Sequence, residues 1–146
     1  MIDHNVQFVG LVWGIPMIWF EPLPGGCPPP DATEPNNDIF FRLTKAYPPS
    51  ESDFWSQRKL YPNKPFHTSE CRAMSLSIYS DLEACLLIRK LNPHKEKKII
   101  QITLPSESGV LKQTGKDPNH YSWWRKHGFD PITNCMEVPL NGAHPQ

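Results

Sequence analysis

The chain has 146 residues, with 15 basic and 15 acidic side chains and no formal net charge. That length holds one ordinary domain with a real core. The charge balance gives no electrostatic reason to expect nucleic acid or an anionic membrane as partner, because such binding neutralises phosphates with clustered Lys and Arg.

Val6 to Phe20 is the most hydrophobic segment, but it is shorter than the roughly 20 apolar residues that span a bilayer, and Gly14 and Pro16 interrupt it. No Lys or Arg precedes it, so the charged start of a signal peptide is missing. A strand-turn-strand element docked on the core is the preferred reading, and an extension outside the domain is the alternative. Glu21 to Asn37 follows with six prolines in seventeen residues and no usable periodicity, as a linker or a long ordered loop. Residues 1–37 are therefore expected to form an apolar arm plus a Pro-rich linker. The domain is expected to run from residue 38 to residue 138, with 139–146 a frayed tail.

Within that domain, Ile39, Phe41 and Leu43 alternate with Phe40, Arg42 and Thr44, which predicts a strand. Ser50 to Lys59 reads as one short helix, with Ser50 or Ser52 as cap, acidic residues in its first turn and Arg58 and Lys59 in its last. Phe54 and Trp55 should anchor it. From Arg72 to Leu104 the pattern is strand, helix, strand. Met74, Leu76 and Ile78 alternate with Ser75, Ser77 and Tyr79. Ser80 and Glu83 have capping-box spacing, and Asn92-Pro93 ends the helix they open. Ala84, Leu87, Ile88 and Leu91 form one apolar stripe, with Leu82 and Leu86 nearly opposite it, so a second surface should cover the helix. Ile100, Ile102 and Leu104 then alternate with Gln101 and Thr103. A short apolar stretch lies around Val110 and Leu111 between two turns, and Asn134 to Val138 can add one last strand. The expected fold is α+β: a single domain with a mixed, mostly antiparallel sheet of about four to six strands, and the helix from Ser80 to Leu91 packed across it.

The cysteines at 27, 71, 85 and 135 make no C-x-x-C pair, so a reduced, cytoplasmic protein is the simplest reading. His67 and Cys71 have the i, i+4 spacing of two metal ligands, with His120 and His127 as distant partners, but Pro65 argues against a helix there. No metal site is expected. A glycine-rich phosphate cradle is missing as well, which disfavours Rossmann and P-loop readings.

If each strand turns its more apolar set inward, Arg42, Ser75, Ser77, Tyr79, Gln101 and Thr103 share a polar face that either meets solvent or holds a ligand. Arg42 lies between large apolar residues, where a charge needs a partner, and it can clamp a phosphate or carboxylate bidentately. His120, Tyr121, Ser122, Trp123 and Trp124 combine an imidazole, a phenol and two indoles. They suit either the mouth of a pocket or an aromatic plug in the core. Glu137, on the last strand, is the acidic residue most readily placed in a cleft.

The segments FFRLTKAYPPSESDFW, CRAMSLSIYSDLEA and HYSWW resemble those of small bacterial proteins of unknown function, cyanobacterial ones in particular, over roughly Asp38 to Val138. More distantly, Arg42 on an early strand, Ser75 and Ser77 before a helix and Glu137 on a late strand are similar in order to ADP-ribosyltransferase-like domains. That resemblance implies NAD as substrate, with Arg42 holding phosphate, Ser75 or Ser77 on the ribose, His120 to Trp124 near a ring, and Glu137 stabilising the charge that develops on the ribose. The residues themselves show no constellation of nucleophile, base and orienting group at meaningful spacing. An interaction or regulatory module, with a protein partner or self-association through the two-sided helix and the apolar arm, is therefore the first functional expectation. The NAD-using enzyme is the second.

Overall fold

The structure, a computed structural model, describes residues 11–12, 15–16 and 18–140. Strand β3 (Asp38–Thr44) lies near the middle of a six-stranded sheet with β4 (Leu76–Tyr79), β5 (Lys98–Leu104), β6 (Gly109–Gln113), β7 (His120–Arg125) and β8 (Cys135–Glu137). The strand order is β6-β7-β4-β3-β5-β8, and every neighbouring pair is antiparallel. The fold is α+β, as expected, but it is mostly sheet. Its helices are short: α1 (Gln57–Leu60), α2 (Glu70–Ala73) and α3 (Leu82–Arg89). A separate pair, β1 (Leu11–Val12) with β2 (Ile15–Pro16), falls in the apolar arm. The rest of the arm before Ile18 lies outside the described residues.

Antiparallel partners share a sheet face, so the register fixes which side chains point together. Phe40 pairs with Ile102 and Arg42 with Ile100, while Leu76 pairs with Trp123. This face carries the main core of Phe40, Leu76, Ile78, Ile100, Ile102, Leu104, Leu111 and Trp123, closed by Phe54 and Phe129. The opposite face carries Phe41, Tyr79 and Gln101, which pair across β3, β4 and β5. The expected inward set of β3 is thereby reversed. Phe40 is buried and Ile39 is 49% exposed, because both alternating sets of DIFFRLT are apolar enough to face inward and only the neighbouring strands select one.

Helix α3 packs on β3 and β4 through Ala84 and Cys85, both buried, whereas Leu87 and Leu91 are 62% and 54% exposed. The predicted stripe is rotated by about one residue, or 100°. The capping box is not formed. Asp81 is the N-cap without a side-chain bond, and the Ser80 hydroxyl donates instead to Asn119 Oδ1 at 2.9 Å. A tertiary partner on the loop before β7 outcompetes the local one. The helix expected over Ser50–Lys59 also divides, into a 3-10 turn at Glu51–Phe54 and α1, because the Ser56 hydroxyl accepts from Lys59 N–H and opens a second helix.

The Pro-rich stretch is part of the domain. Thr33 exchanges backbone hydrogen bonds of 2.9 and 2.7 Å with Leu111, and Asp31 and Glu34 pair with Lys112 and Lys126. Buried Glu21 accepts from both the backbone and the hydroxyl of Ser56, at 3.0 and 2.5 Å. Phe20 N–H donates to the carbonyl of Arg125, and the Arg125 guanidinium lies 3.7 Å from the Phe20 ring centre. These contacts dock Ile18 to Phe20 at the end of β7, not over α3. Cys27 is bridged to Cys71 with a Cα–Cα distance of 5.5 Å. The bridge overturns the reduced reading of those two cysteines and removes Cys71 from any zinc pair with His67. Among the described residues, no group of three His, Cys, Asp or Glu side chains could hold a metal ion, and no helix is long and apolar enough to cross a membrane.

Candidate functional site

On the β4–β7 side of the sheet, opposite the main core, the register brings Ser77 beside Ser122 and Tyr79 beside His120. Helix α2 and the segment before it rise over this corner, anchored by the Cys27–Cys71 bridge and by Trp124 Nε1–H donating to the Cys71 carbonyl at 2.9 Å. Between sheet and helix lies a cavity of about 340 Å³ bordered by Arg72, Ser75, Ser77, His120 and Ser122, with His67 at its exposed edge. That volume falls within the range of small-molecule sites, about 300–1,000 Å³. A smaller cavity of about 160 Å³ adjoins it and shares Arg72 and His120, with Tyr79, Ile88 and Asp117 on its far side.

The imidazole of His120 is fixed at both ends. Its Nδ1 lies 2.9 Å from the Thr114 carbonyl and 3.1 Å from the Thr114 hydroxyl, and its Nε2 lies 2.9 Å from Ser77 Oγ. A carbonyl only accepts, so Nδ1 carries the proton, and the Nε2 lone pair receives the hydroxyl proton of Ser77. Thr114 Oγ1 also lies 2.8 Å from Ser122 Oγ, continuing the chain of hydroxyls. Burial pushes the pKa of His120 below its ordinary value, and nearby Arg72 pushes the same way, against the Thr114 hydrogen bond and Asp117. A neutral imidazole at neutral pH is the result.

Arg72 is held at the end of α2, where Ser69 Oγ accepts from its backbone N–H. Its guanidinium passes over Gly115, where a Cβ would stand 2.9 Å from Arg72 Nη2 and 3.7 Å from His120 Nδ1. With φ at +78° and no side chain, Gly115 lets cation and imidazole lie side by side. The other four arginines each donate to a backbone carbonyl or a carboxylate. Arg72 alone has no such partner among the described residues.

The remaining predicted residues are dispersed. Arg42 faces the core side, away from the Ser77 hydroxyl. Its Nε and Nη2 donate to the Asp53 carbonyl at 3.1 and 2.8 Å, and its Nη1 donates to the Ser77 carbonyl at 2.6 Å. Burial lowers its pKa to about 10, which leaves it charged at neutral pH. It binds the 3-10 turn to β4, and those donors are committed. Ser75 borders the cavity, but its hydroxyl closes the end of α2 on the Arg72 carbonyl at 2.7 Å. Glu137 is exposed on edge strand β8, beside a different cavity with Arg89 and Lys98. Among the described residues, Arg42, Ser75 and Glu137 are therefore brought to no common cavity. Gln101 lies on the same side of the sheet as the cavity, but β4 and β3 separate its strand from β7, and it does not border the cavity.

The aromatic group divides by strand alternation. His120 and Ser122 meet the cavity. Tyr121 packs edge-on against Phe40 at 5.4 Å, and Trp123 is fully buried with its indole N–H donating to the Ser108 carbonyl. Trp124 shares the face of His120 but is sealed beneath α2. Trp123 and Trp124 are core residues. Arg72 and Thr114 were not singled out from the sequence, and Ser122 was named there only as a member of the group from His120 to Trp124. Ser69 three residues before Arg72 was a detectable cap signal for α2, whereas a backbone carbonyl such as that of Thr114 has no signature in side-chain types.

Comparison of the chain with protein-family models, with curated proteins and with solved structures finds no match.

Proposed function

We propose that the cavity between α2 and the β4–β7 sheet face binds a small anionic molecule, with Arg72 as the recognising cation. Ser77, Ser122 and His120 supply neutral hydrogen-bonding groups around it. The observation that carries this reading is Arg72, a half-buried residue that borders both adjoining cavities and whose guanidinium lacks a carboxylate or carbonyl partner among the described residues. Partly desolvating a cation costs free energy unless a partner repays it. A ligand carboxylate or phosphate can be that partner through paired N–H···O bonds.

Titration with succinate, inorganic phosphate and NAD, followed by calorimetry, tests this reading. A hydrogen bond to a charged group contributes about 1.5–3 kcal/mol, so Arg72→Met should weaken binding of the preferred anion roughly tenfold to a hundredfold. Added salt should weaken it too. No anion binding at millimolar concentration, or equal binding by Arg72→Met, would remove the reading. NAD belongs in the panel because an ADP-ribosyltransferase-like or glycohydrolase activity is the alternative enzyme reading. Saturable NAD binding with nicotinamide release would favour that alternative.

The second reading is a non-catalytic interaction module. It is favoured by two exposed leucines, Leu87 on α3 and Leu91 two residues beyond its end. Self-association through this pair predicts a dimer in light scattering that Leu87→Glu converts to monomer. A wild-type protein that is monomeric up to millimolar concentration would exclude that mode.

A further inference from the structure

We propose that Ser77 is a catalytic nucleophile and His120 its general base, acting on a small carboxylic ester that carries a negative charge. This inference rests on the reading of the cavity as an anion site. Nucleophilic serine chemistry needs a hydroxyl within hydrogen-bond reach of a base, and a third group that holds the base in the right tautomer. All three are present. Ser77 Oγ lies 2.9 Å from His120 Nε2, and the Thr114 carbonyl lies 2.9 Å from Nδ1. Ser77 is solvent-exposed at the cavity wall, and its hydroxyl has no other hydrogen-bond partner among the described residues.

Ser75 and Ser122 make the contrast. Both are buried, and their hydroxyls serve the Arg72 carbonyl and Thr114 Oγ1. The sheet register also explains why spacing along the chain could not show the arrangement. Ser77 and His120 are diagonal neighbours on adjacent antiparallel strands, 43 residues apart.

In the proposed reaction, Ser77 Oγ bonds to the ester carbonyl carbon as its proton passes to His120 Nε2. The carbon–oxygen bond to the alcohol then breaks, and the departing oxygen takes that proton. A water molecule gives one proton to Nε2 and bonds to the acyl carbon. Ser77 leaves with the proton, so ester and water become acid and alcohol, and the protein is restored. Arg72 holds the anionic end of the substrate.

The first test is labelling with phenylmethylsulfonyl fluoride, read by peptide mass spectrometry. One adduct per chain is expected, on Ser77, and none there in Ser77→Ala. His120→Gln should slow labelling at least about a hundredfold, as expected for loss of a general base. Because that variant can fail to fold, the pH profile of the wild-type chain is a second readout. The charged and titratable groups that border the two cavities with His120 are His67, Arg72, Tyr79, Lys116 and Asp117. Labelling should be level above neutral pH and fall only as pH drops through a midpoint below the ordinary value for histidine. Absence of a Ser77 adduct, or a rate independent of both His120 and pH, overturns the proposal.

The second test compares 4-nitrophenyl hemisuccinate with 4-nitrophenyl acetate as substrates. The anionic ester should show the higher kcat/KM by about tenfold, consistent with one charge-assisted contact, and Arg72→Met should remove the difference. Labelling at Ser77 without this preference upholds the nucleophile and removes the anion reading. Arg72-dependent anion binding without labelling at Ser77 does the reverse.

Discussion

Breaking the Cys27–Cys71 bridge by the double substitution Cys27→Ser, Cys71→Ser should destabilise the chain by about 4 kcal/mol, the loop-entropy cost for a crosslink over a separation of 44 residues. For a chain of this length, that is a fall in Tm of roughly 10–15 °C. The domain should still fold, because the Thr33–Leu111 bridge and the buried Glu21–Ser56 pair also hold the Pro-rich segment. Helix α2 has less support. Of the contacts that fix it to the body, the disulfide and the Trp124 bond both act at Cys71, the residue next to Arg72. The same double variant should therefore bind anions more weakly while keeping the Ser77–His120 hydrogen bond, which lies on the sheet. Urea melts and anion titrations of this variant, with Cys135→Ser at the half-buried free cysteine as control, check both expectations. A double variant as stable as wild type would mean that the bridge closes no loop that the unfolded chain would otherwise leave free.

Gly109→Ala should cost about 3–5 kcal/mol, combining backbone strain with overpacking. Gly109 opens β6 at φ +146°, and a Cβ built there stands 2.1 Å from the Trp124 carbonyl oxygen and 2.8 Å from Trp123 Nε1. Neither neighbour can yield cheaply. The first is ladder backbone paired between β6 and β7, and the second is a fully buried indole whose N–H is held by the Ser108 carbonyl. Tryptophan fluorescence should shift to the red as the pair loosens, and the urea midpoint should fall. Gly25→Ala is the matched control, since a Cβ there meets nothing within 4 Å, and it should change stability by less than about 0.5 kcal/mol. Similar losses for the two variants would show that Gly109 is not confined in this way.

The runs of period 2 around Leu76–Tyr79 and Lys98–Leu104, the helix between them and the strand over Asp38–Thr44 were legible from residue types. Each depends on alternation, capping residues or a proline stop within about ten neighbours. The polar face with Ser77 and Tyr79 was legible for the same reason, and so was His120 as a reactive side chain. The inward face of β3 was not. Phe40 and Phe41 are equally able to be buried, and the choice was made by Ile102 and Tyr79, their partners on other strands. Arg42 changed faces with that choice and became a structural tie to Asp53.

The sequence by itself determined the α+β class, most strand positions and the chemical inventory at Ser77 and His120. Those properties follow from local periodicity and residue chemistry. Only the tertiary structure decided that Ser77 meets His120 and that Thr114 orients it, that Cys27 reaches Cys71, and that Arg72 stands over Gly115 without a partner among the described residues. The physical reason is that strand register and loop closure join residues about 40 positions apart, and no local propensity encodes which of the available pairings the buried surface will select.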